Sequence, residues 1–128
     1  MAQCILTTTW QGPGESLSYG STVSADTLVV ADWEVAGETT DQQVTLALDV
    51  SALKLWMIYS NVAATLETNA VDATGGNTLT LPAGVAVGWD YLSGFVNLLT
   101  EDVTTAYVTV AGATAASIKF RALLDGTP

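Results

Sequence analysis

Histidine is absent from this 128-residue sequence, and cysteine occurs once, as Cys4. A single thiol cannot form an intrachain disulfide. Without imidazole, the chain also lacks the commonest metal ligand and the usual general base at neutral pH. A lone cysteine near an apolar N-terminal strand is usually a small buried hydrophobe, so we predict a buried Cys4. We predict no catalytic residues, no metal site and no cofactor.

Positive charge is also scarce: three basic residues face thirteen acidic ones, for a net charge of −10. Such a chain is repelled by nucleic acid and by anionic lipid headgroups, so we expect neither as a partner. Charged residues make up only 12% of the chain, against 49% hydrophobic residues. Because a surface this poor in charge leaves apolar area exposed, we predict a homo-oligomer or a docked subunit.

Long apolar runs are missing as well. No run approaches the ~20 residues of a membrane helix. The first residues, MAQCILTTTW, have neither a basic region nor a long apolar region, so we expect no signal peptide. No linker or repeat interrupts the chain, and we predict one domain over residues 1–128.

The segment Leu53–Trp89 carries the clearest strand pattern. Alternation places Leu53, Leu55, Met57 and Tyr59 on one side of a strand, and Lys54, Trp56, Ile58 and Ser60 on the other. Both sides are largely apolar, so this strand should be covered on both, with the first side taken as the core. The segment Thr65–Asn69 comes next. Together with further alternation at Thr78–Leu81 and Val85–Trp89, between Gly/Pro turns, it predicts a central meander.

The rest of the chain alternates in the same way. We predict strands at Gln3–Trp10, Thr22–Val35 (one or two), Gln43–Asp49, Thr104–Val110 and Ser117–Leu124. We predict a loop at Gln11–Gly20, polar or hairpin turns at Gly37–Gln42, Asp72–Asn77 and Ala111–Ala115, and a long loop with one helical turn at Asp90–Thr100. Eight to nine short strands predict an all-β fold, a single antiparallel β-sandwich or jelly-roll-like barrel. The predicted core is Leu46, Leu48, Leu55, Met57, Leu79, Leu81, Val85, Val87, Val108, Ile118 and Phe120.

Acidic pairs are the first candidates for chemistry. Asp32 and Glu34 share a strand face, but that face also carries Leu28 and Val30, so we interpret them as solvated edge carboxylates rather than a glycosidase pair. A calcium site would need several oxygens from one loop. The pairs Glu38/Asp41 and Glu101/Asp102 are too sparse for that.

Other candidate sites rest on bases and aromatics. A Ser or Cys nucleophile would have to use Lys54 or Lys119 as its base, and both fall in predicted strands. The aromatics could instead form a sugar-stacking platform, pack in the core or line an interface. They are Trp10, Trp33, Trp56, Trp89, Tyr19, Tyr59, Tyr91 and Tyr107.

Two stretches of the sequence carry a resemblance to known proteins. They are TLETNAVDATGGNTLTLPAGVAVGWD and the predicted hairpin from TEDVTTAYVTVAG to ASIKFRALLD, within a Thr-, Ala-, Val- and Gly-rich, charge-poor chain. In these features the chain resembles small β-sandwich proteins of viral and tailed-phage particles, such as capsid decoration, cement or coat-like subunits. The resemblance implies a non-enzymatic virion protein, assembled in the host cytoplasm, that binds itself and other capsid proteins. A trimer or a pentamer would fit it.

We predict an interface at Trp56, Lys54, Lys119, Arg121, Tyr91 and Phe95. In this hypothesis Trp56 makes an apolar contact and the three cations meet acids of a neighbouring subunit. The alternative function is a carbohydrate-binding or receptor-binding β-sandwich module. A bacterial surface adhesion domain is a third reading, disfavoured by the missing signal peptide.

Overall fold

A computed structural model describes residues 2–71 and 76–125, with side chains throughout except at 2–12 and 15–21. Ten strands follow one another: β1 Ala2–Gly12, β2 Glu15–Ala25, β3 Thr27–Val35, β4 Thr39–Val44, β5 Leu53–Ser60, β6 Ala64–Thr68, β7 Thr78–Leu81, β8 Val87–Asp90, β9 Ala106–Val110 and β10 Ala116–Leu124. A short 3-10 helix, Val50–Ala52, precedes β5. No helix in the described ranges is long and apolar enough to cross a membrane.

Eight of these strands form an antiparallel sandwich. One sheet has the order β3-β10-β5-β8 and the other the order β4-β9-β6-β7. Successive strands change sheets at every step except β6 to β7. Eight strands divided in this way between two sheets form a jelly roll. The predicted all-β antiparallel sandwich is therefore confirmed.

Two of the predicted connections between strands are wrong. The central meander is wrong, because β6 and β7 belong to the sheet opposite β5 and β8. The Ala111–Ala115 turn is not a hairpin either, since it links β9 of one sheet to β10 of the other. A Gly-rich turn has the same local chemistry whether the next strand returns beside the first or crosses the core.

The predicted loop at Gln11–Gly20 is mostly strand. Strands β1 and β2 pair along their whole length around a tight turn at Pro13 and Gly14, where Gly14 has φ 82°. A Pro-Gly pair at a turn supplies a fixed φ followed by a permitted positive one. The end of β2 packs on the sandwich, where Val23 and Ala25 form a small cluster with Leu55 and Leu123. Burial of Cys4, Trp10 and Tyr19 lies outside the described side chains, and the turn predicted at Asp72–Asn77 lies mostly outside the described residues.

Strand β4 also begins earlier than predicted. Most of the polar segment expected to be a turn pairs with β9 at the edge of its sheet, with an irregularity between Thr39 and Gln42. An edge strand with one solvated face needs few apolar residues, which is why its sequence looks like a turn. Leu46 and Leu48, beyond its end, are nevertheless buried as predicted.

The core between the sheets contains most of the predicted residues. Leu46, Leu48, Leu79, Leu81, Val108, Ile118 and Phe120 are buried in it, and Leu55 is buried in the smaller cluster under β2. Met57 and Val87 are only half-buried. The predicted burial of Val85 is wrong. Its side chain is 54% exposed, because it lies before β8 and pairing with β5 starts only at Val87.

The face assignment of β5 is also corrected. Trp56 and Ile58 point into the main core and are fully buried. Leu55, Met57 and Tyr59 lie on the outer face of the sheet, where β2 covers Leu55 and Tyr59 remains 38% exposed. Both faces of β5 are apolar, so alternation alone could not decide which one meets the opposite sheet.

Candidate interaction surface

The connection from β8 to β9 carries the most exposed apolar side chains. Within residues 91–98, which we call the apolar loop, Phe95 is 73% exposed and Val96 84% exposed. Tyr91, Leu92 and Leu98 are about half exposed. This loop contains no charged residue. Contiguous apolar exposure of this kind is characteristic of interaction surfaces.

Two tryptophans hold the backbone of the apolar loop. The Trp89 indole N–H donates to the Phe95 carbonyl at 2.8 Å. The Trp56 indole N–H donates to the Asn97 side-chain oxygen at 2.7 Å, and that oxygen also accepts from the Leu99 backbone N–H at 3.0 Å. The predicted helical turn is absent, because these bonds fix an irregular backbone.

Both ends of the loop are fixed as well. At its start, the buried carboxylate of Asp90 accepts from the Leu92 N–H at 2.9 Å, and the Asp90 carbonyl accepts from the Ser93 hydroxyl at 2.8 Å. At its end, Thr100 donates its N–H to the Asn77 side-chain oxygen at 3.0 Å and accepts from the Asn77 amide at 2.9 Å. A loop fixed at both ends loses little conformational entropy on binding.

Three of the predicted interface residues meet at this loop. The Lys54 ammonium lies 4.8 Å from the centre of the Tyr91 ring, and the Tyr91 N–H donates to the Lys54 carbonyl at 2.9 Å. Phe95 follows in the same loop. An ammonium over an aromatic ring is attracted by the ring quadrupole, which helps to fix the ring's orientation.

Trp56 was placed on the wrong side by sequence. Its indole is fully buried in the chain's own core, so it cannot present an apolar surface to a neighbouring subunit. Its contribution to the apolar loop is the hydrogen bond to Asn97. A hydrogen bond between residues 41 positions apart leaves no local signal in the sequence.

Lys119 and Arg121 lie on a different surface, the outer face of the sheet β3-β10-β5-β8. Arg121 does not depend on a neighbouring subunit for a partner, because its guanidinium lies 2.8 Å from the Asp32 carboxylate. It also donates to the Phe120 carbonyl at 2.9 Å. Lys119 is exposed and pairs in register with Asp32 of β3 and Tyr59 of β5.

This outer face is also apolar, which the sequence indicated only weakly. Leu28 and Val30 of β3 are each more than half exposed. Half-buried Met57 and partly exposed Tyr59 of β5 lie on the same face, across the intervening strand β10. We call Leu28, Val30, Met57, Tyr59, Lys119 and Arg121 the Val30 face. Leu28 and Val30 alternate with half-buried residues and share their side of β3 with Asp32, as the sequence pattern predicts.

The outer face of the other sheet is polar. Thr80, Thr65 and Thr109 form one cross-strand row, and Tyr107 lies between Gln43 and Glu67 in the next. The threonine row forms the floor of an open cavity of about 290 Å³. Ala63, Pro82 and Ala111 are among the residues at its margin. This threonine face offers hydroxyl, amide and carboxylate groups beside one aromatic ring.

Three acidic side chains, two of them from the candidate pairs, stabilise local structure. Asp49 caps the 3-10 helix by accepting from the Ser51 N–H at 3.0 Å, and Asp102 accepts from the Val50 N–H at 2.9 Å. Asp41 accepts from the Thr109 hydroxyl at 3.3 Å. Among the side chains that the structure describes, no group of three potential metal ligands comes together.

Comparison with known proteins identifies no family for this chain. No family model matches the chain, and no curated protein matches it. One solved structure, from a study entitled "Bacillus endospore appendages form a novel family of disulfide-linked pili", is similar at a TM-score of 0.35 and 12% identity. The match covers 98% of this chain and 93% of that one. A similarity of this degree is too low to establish a shared fold or function.

Proposed function

We propose that this protein is a non-enzymatic structural subunit that self-associates. The observation that supports the proposal is the apolar loop, in which Phe95 and Val96 are largely exposed on a backbone fixed by Trp89, Trp56 and Asp90. A fixed loop with exposed apolar side chains has little use in an isolated subunit. It fits a contact that excludes water on assembly.

Within this proposal, the assembly is a viral or tailed-phage particle, in which the subunit binds a capsid lattice or neighbouring subunits. The resemblance in sequence style supports this, and the jelly-roll topology is compatible with it, since capsid proteins use that architecture. Lectin domains have the same topology, so the topology supports a place in a viral particle only by analogy. A gene position beside a major capsid or portal gene is the expected observation, and a position within a metabolic operon would contradict this location.

Sedimentation equilibrium tests self-association at tens of micromolar protein. The parent should associate, and a variant with Phe95→Ser and Val96→Ser should remain largely monomeric. Its matched control is Val85→Ser, which removes an exposed valine at the β7–β8 turn. A strictly monomeric parent, or a loop variant that associates like the parent, would contradict the proposal.

A carbohydrate-binding module is the second candidate, favoured by the threonine face. Sugars bind through stacking on an aromatic ring and hydrogen bonds to nearby polar groups, which the row of Tyr107, Gln43 and Glu67 could provide. A glycan array with and without calcium tests it, with Tyr107→Ala as the variant and Tyr59→Ala, on the opposite sheet, as the control. Absence of binding by the parent in both conditions would remove this candidate.

A further inference from the structure

We infer that copies of this chain associate head to tail, with the apolar loop of one copy docked on the Val30 face of the next. This inference rests on the proposed self-association and names the two surfaces that meet. Each surface exposes apolar side chains that its own chain leaves uncovered: Phe95 and Val96 on the loop, Leu28 and Val30 on the face.

The charges around the two surfaces favour this pairing over a contact of the loop with itself. Glu101 and Asp102, both exposed, follow the loop three and four residues beyond Leu98, so these two acids outnumber the one cation, Lys54, that lies over Tyr91. A loop-to-loop contact would bring these acids of two copies together, on chains that each carry a net charge of −10. Like charges that meet at an interface oppose association.

The Val30 face does not have this excess of acidic residues. Lys119 and Arg121 of β10 lie there, two of the three basic residues in the whole chain. They balance Asp32 and Glu34 on the neighbouring strand, so this is a nearly neutral face on a strongly acidic molecule. Lys119 forms no ion pair within the described part of the chain. It can therefore meet an acid of the next copy at the edge of the contact.

When two copies bind through two different surfaces, one copy still has a free apolar loop and the other still has a free Val30 face. Such heterologous association continues into a ring if the rotation closes, or into an open chain if it does not. A contact of a surface with itself stops at a dimer. Assembly beyond the dimer is therefore the expected behaviour of the parent.

The test mixes two variants that each lose one surface. The loop variant carries Phe95→Ser and Val96→Ser and keeps the Val30 face. The face variant carries Val30→Ser and Lys119→Glu and keeps the loop. Each alone should have a dissociation constant raised by about tenfold or more, because each lacks one half of every contact. Mixed in equal amounts, they should form a dimer through the one intact pairing, detected by sedimentation velocity, while the Val85→Ser control assembles like the parent.

The outcomes separate the inference from the proposed function. A parent that stays monomeric overturns both. A parent that assembles while the mixed variants stay monomeric overturns the head-to-tail contact alone. A face variant that self-associates like the parent also overturns it, because the loop would then be meeting another surface. If circular dichroism shows either double variant to be unfolded, the single variants Phe95→Ser and Lys119→Glu, both at exposed positions, replace it in the same mixture.

Discussion

The indole nitrogen of Trp56 lies 2.7 Å from the side-chain oxygen of Asn97, which joins the fully buried centre of β5 to the apolar loop. The tryptophan thus supports the apolar loop from behind. The same Asn97 oxygen accepts from the Leu99 N–H, and Leu99 is itself buried. One side chain therefore couples loop conformation to core packing.

We predict that Asn97→Ala lowers the free energy of unfolding by about 1–3 kcal/mol, because it leaves the buried Trp56 N–H without its acceptor. Urea unfolding followed by tryptophan fluorescence measures this. Asn97→Asp is the control, since it keeps an acceptor oxygen at the same place and should retain more stability than Asn97→Ala. Equal stability of the Ala variant and the parent would contradict a stabilising role of this hydrogen bond.

Phe120 tests the core assignment of β10. Its side chain is fully buried, and its ring stacks on Trp33 with centroids 6.3 Å apart. We predict that Phe120→Ala costs about 3–5 kcal/mol of unfolding free energy, through lost burial and the cavity left behind. The matched control is Phe95→Ala, the same substitution at an exposed site, measured at a concentration where the protein is monomeric. The inward assignment of Phe120 would be wrong if both variants were equally stable.

The outcome at Phe120 shows what alternation can predict. Where one side of a strand is apolar and the other is polar, as in β9 and β10, the buried residues follow directly from the sequence. Where both sides are apolar, as in β5, the choice depends on which sheet lies opposite, and Trp56 was therefore assigned to the wrong side. Pairing across the chain is equally hidden. Asp32 and Arg121 are 89 positions apart, so only the fold could show that they form an ion pair.

The apolar loop shows a different limit. The segment Asp90–Thr100 is apolar, contains Gly94 and lacks sustained helical spacing, which predicts a long loop with one helical turn and exposed aromatics. Tyr91 and Phe95 are indeed exposed. The bonds from Trp89 and Trp56 that fix its backbone depend on tertiary contacts, which is why the sequence suggested a helical turn instead. The exposure of the loop's aromatic side chains could be predicted from the sequence, but the hydrogen bonds that fix its backbone could not.

A close backbone approach gives the third prediction. A side chain at Gly37 would bring its Cβ into a clash with the Ala113 carbonyl oxygen, on the turn between β9 and β10. We predict that Gly37→Ala destabilises the fold by about 1–3 kcal/mol, because backbone atoms must move apart. Gly112→Ala, on that same turn, is the control, since a Cβ there meets nothing within 4 Å. Thermal or urea unfolding of both variants measures the difference, and a Gly37→Ala variant as stable as Gly112→Ala would contradict the close approach.

The last prediction concerns the ion pair of Arg121 and Asp32. Both side chains are substantially exposed, at 39% and 58%, so their attraction is weakened by water and by salt. A double-mutant cycle of Arg121→Ala and Asp32→Ala in the monomer should give a coupling of about 0–1 kcal/mol in low salt, and less in high salt. Arg121→Ala alone should cost more than this coupling, because the guanidinium also donates to the Phe120 carbonyl.

Arg121→Lys separates these two contributions, since it keeps the charge but lacks the guanidinium's planar set of donors. Its unfolding free energy should lie between those of the parent and the alanine variant. A coupling energy that persists in high salt would contradict a solvent-exposed pair. If the coupling is present in the monomer but vanishes in the assembled protein, then Arg121 binds an acid of the neighbouring copy, and the pairing with Asp32 gives way when the Val30 face is covered.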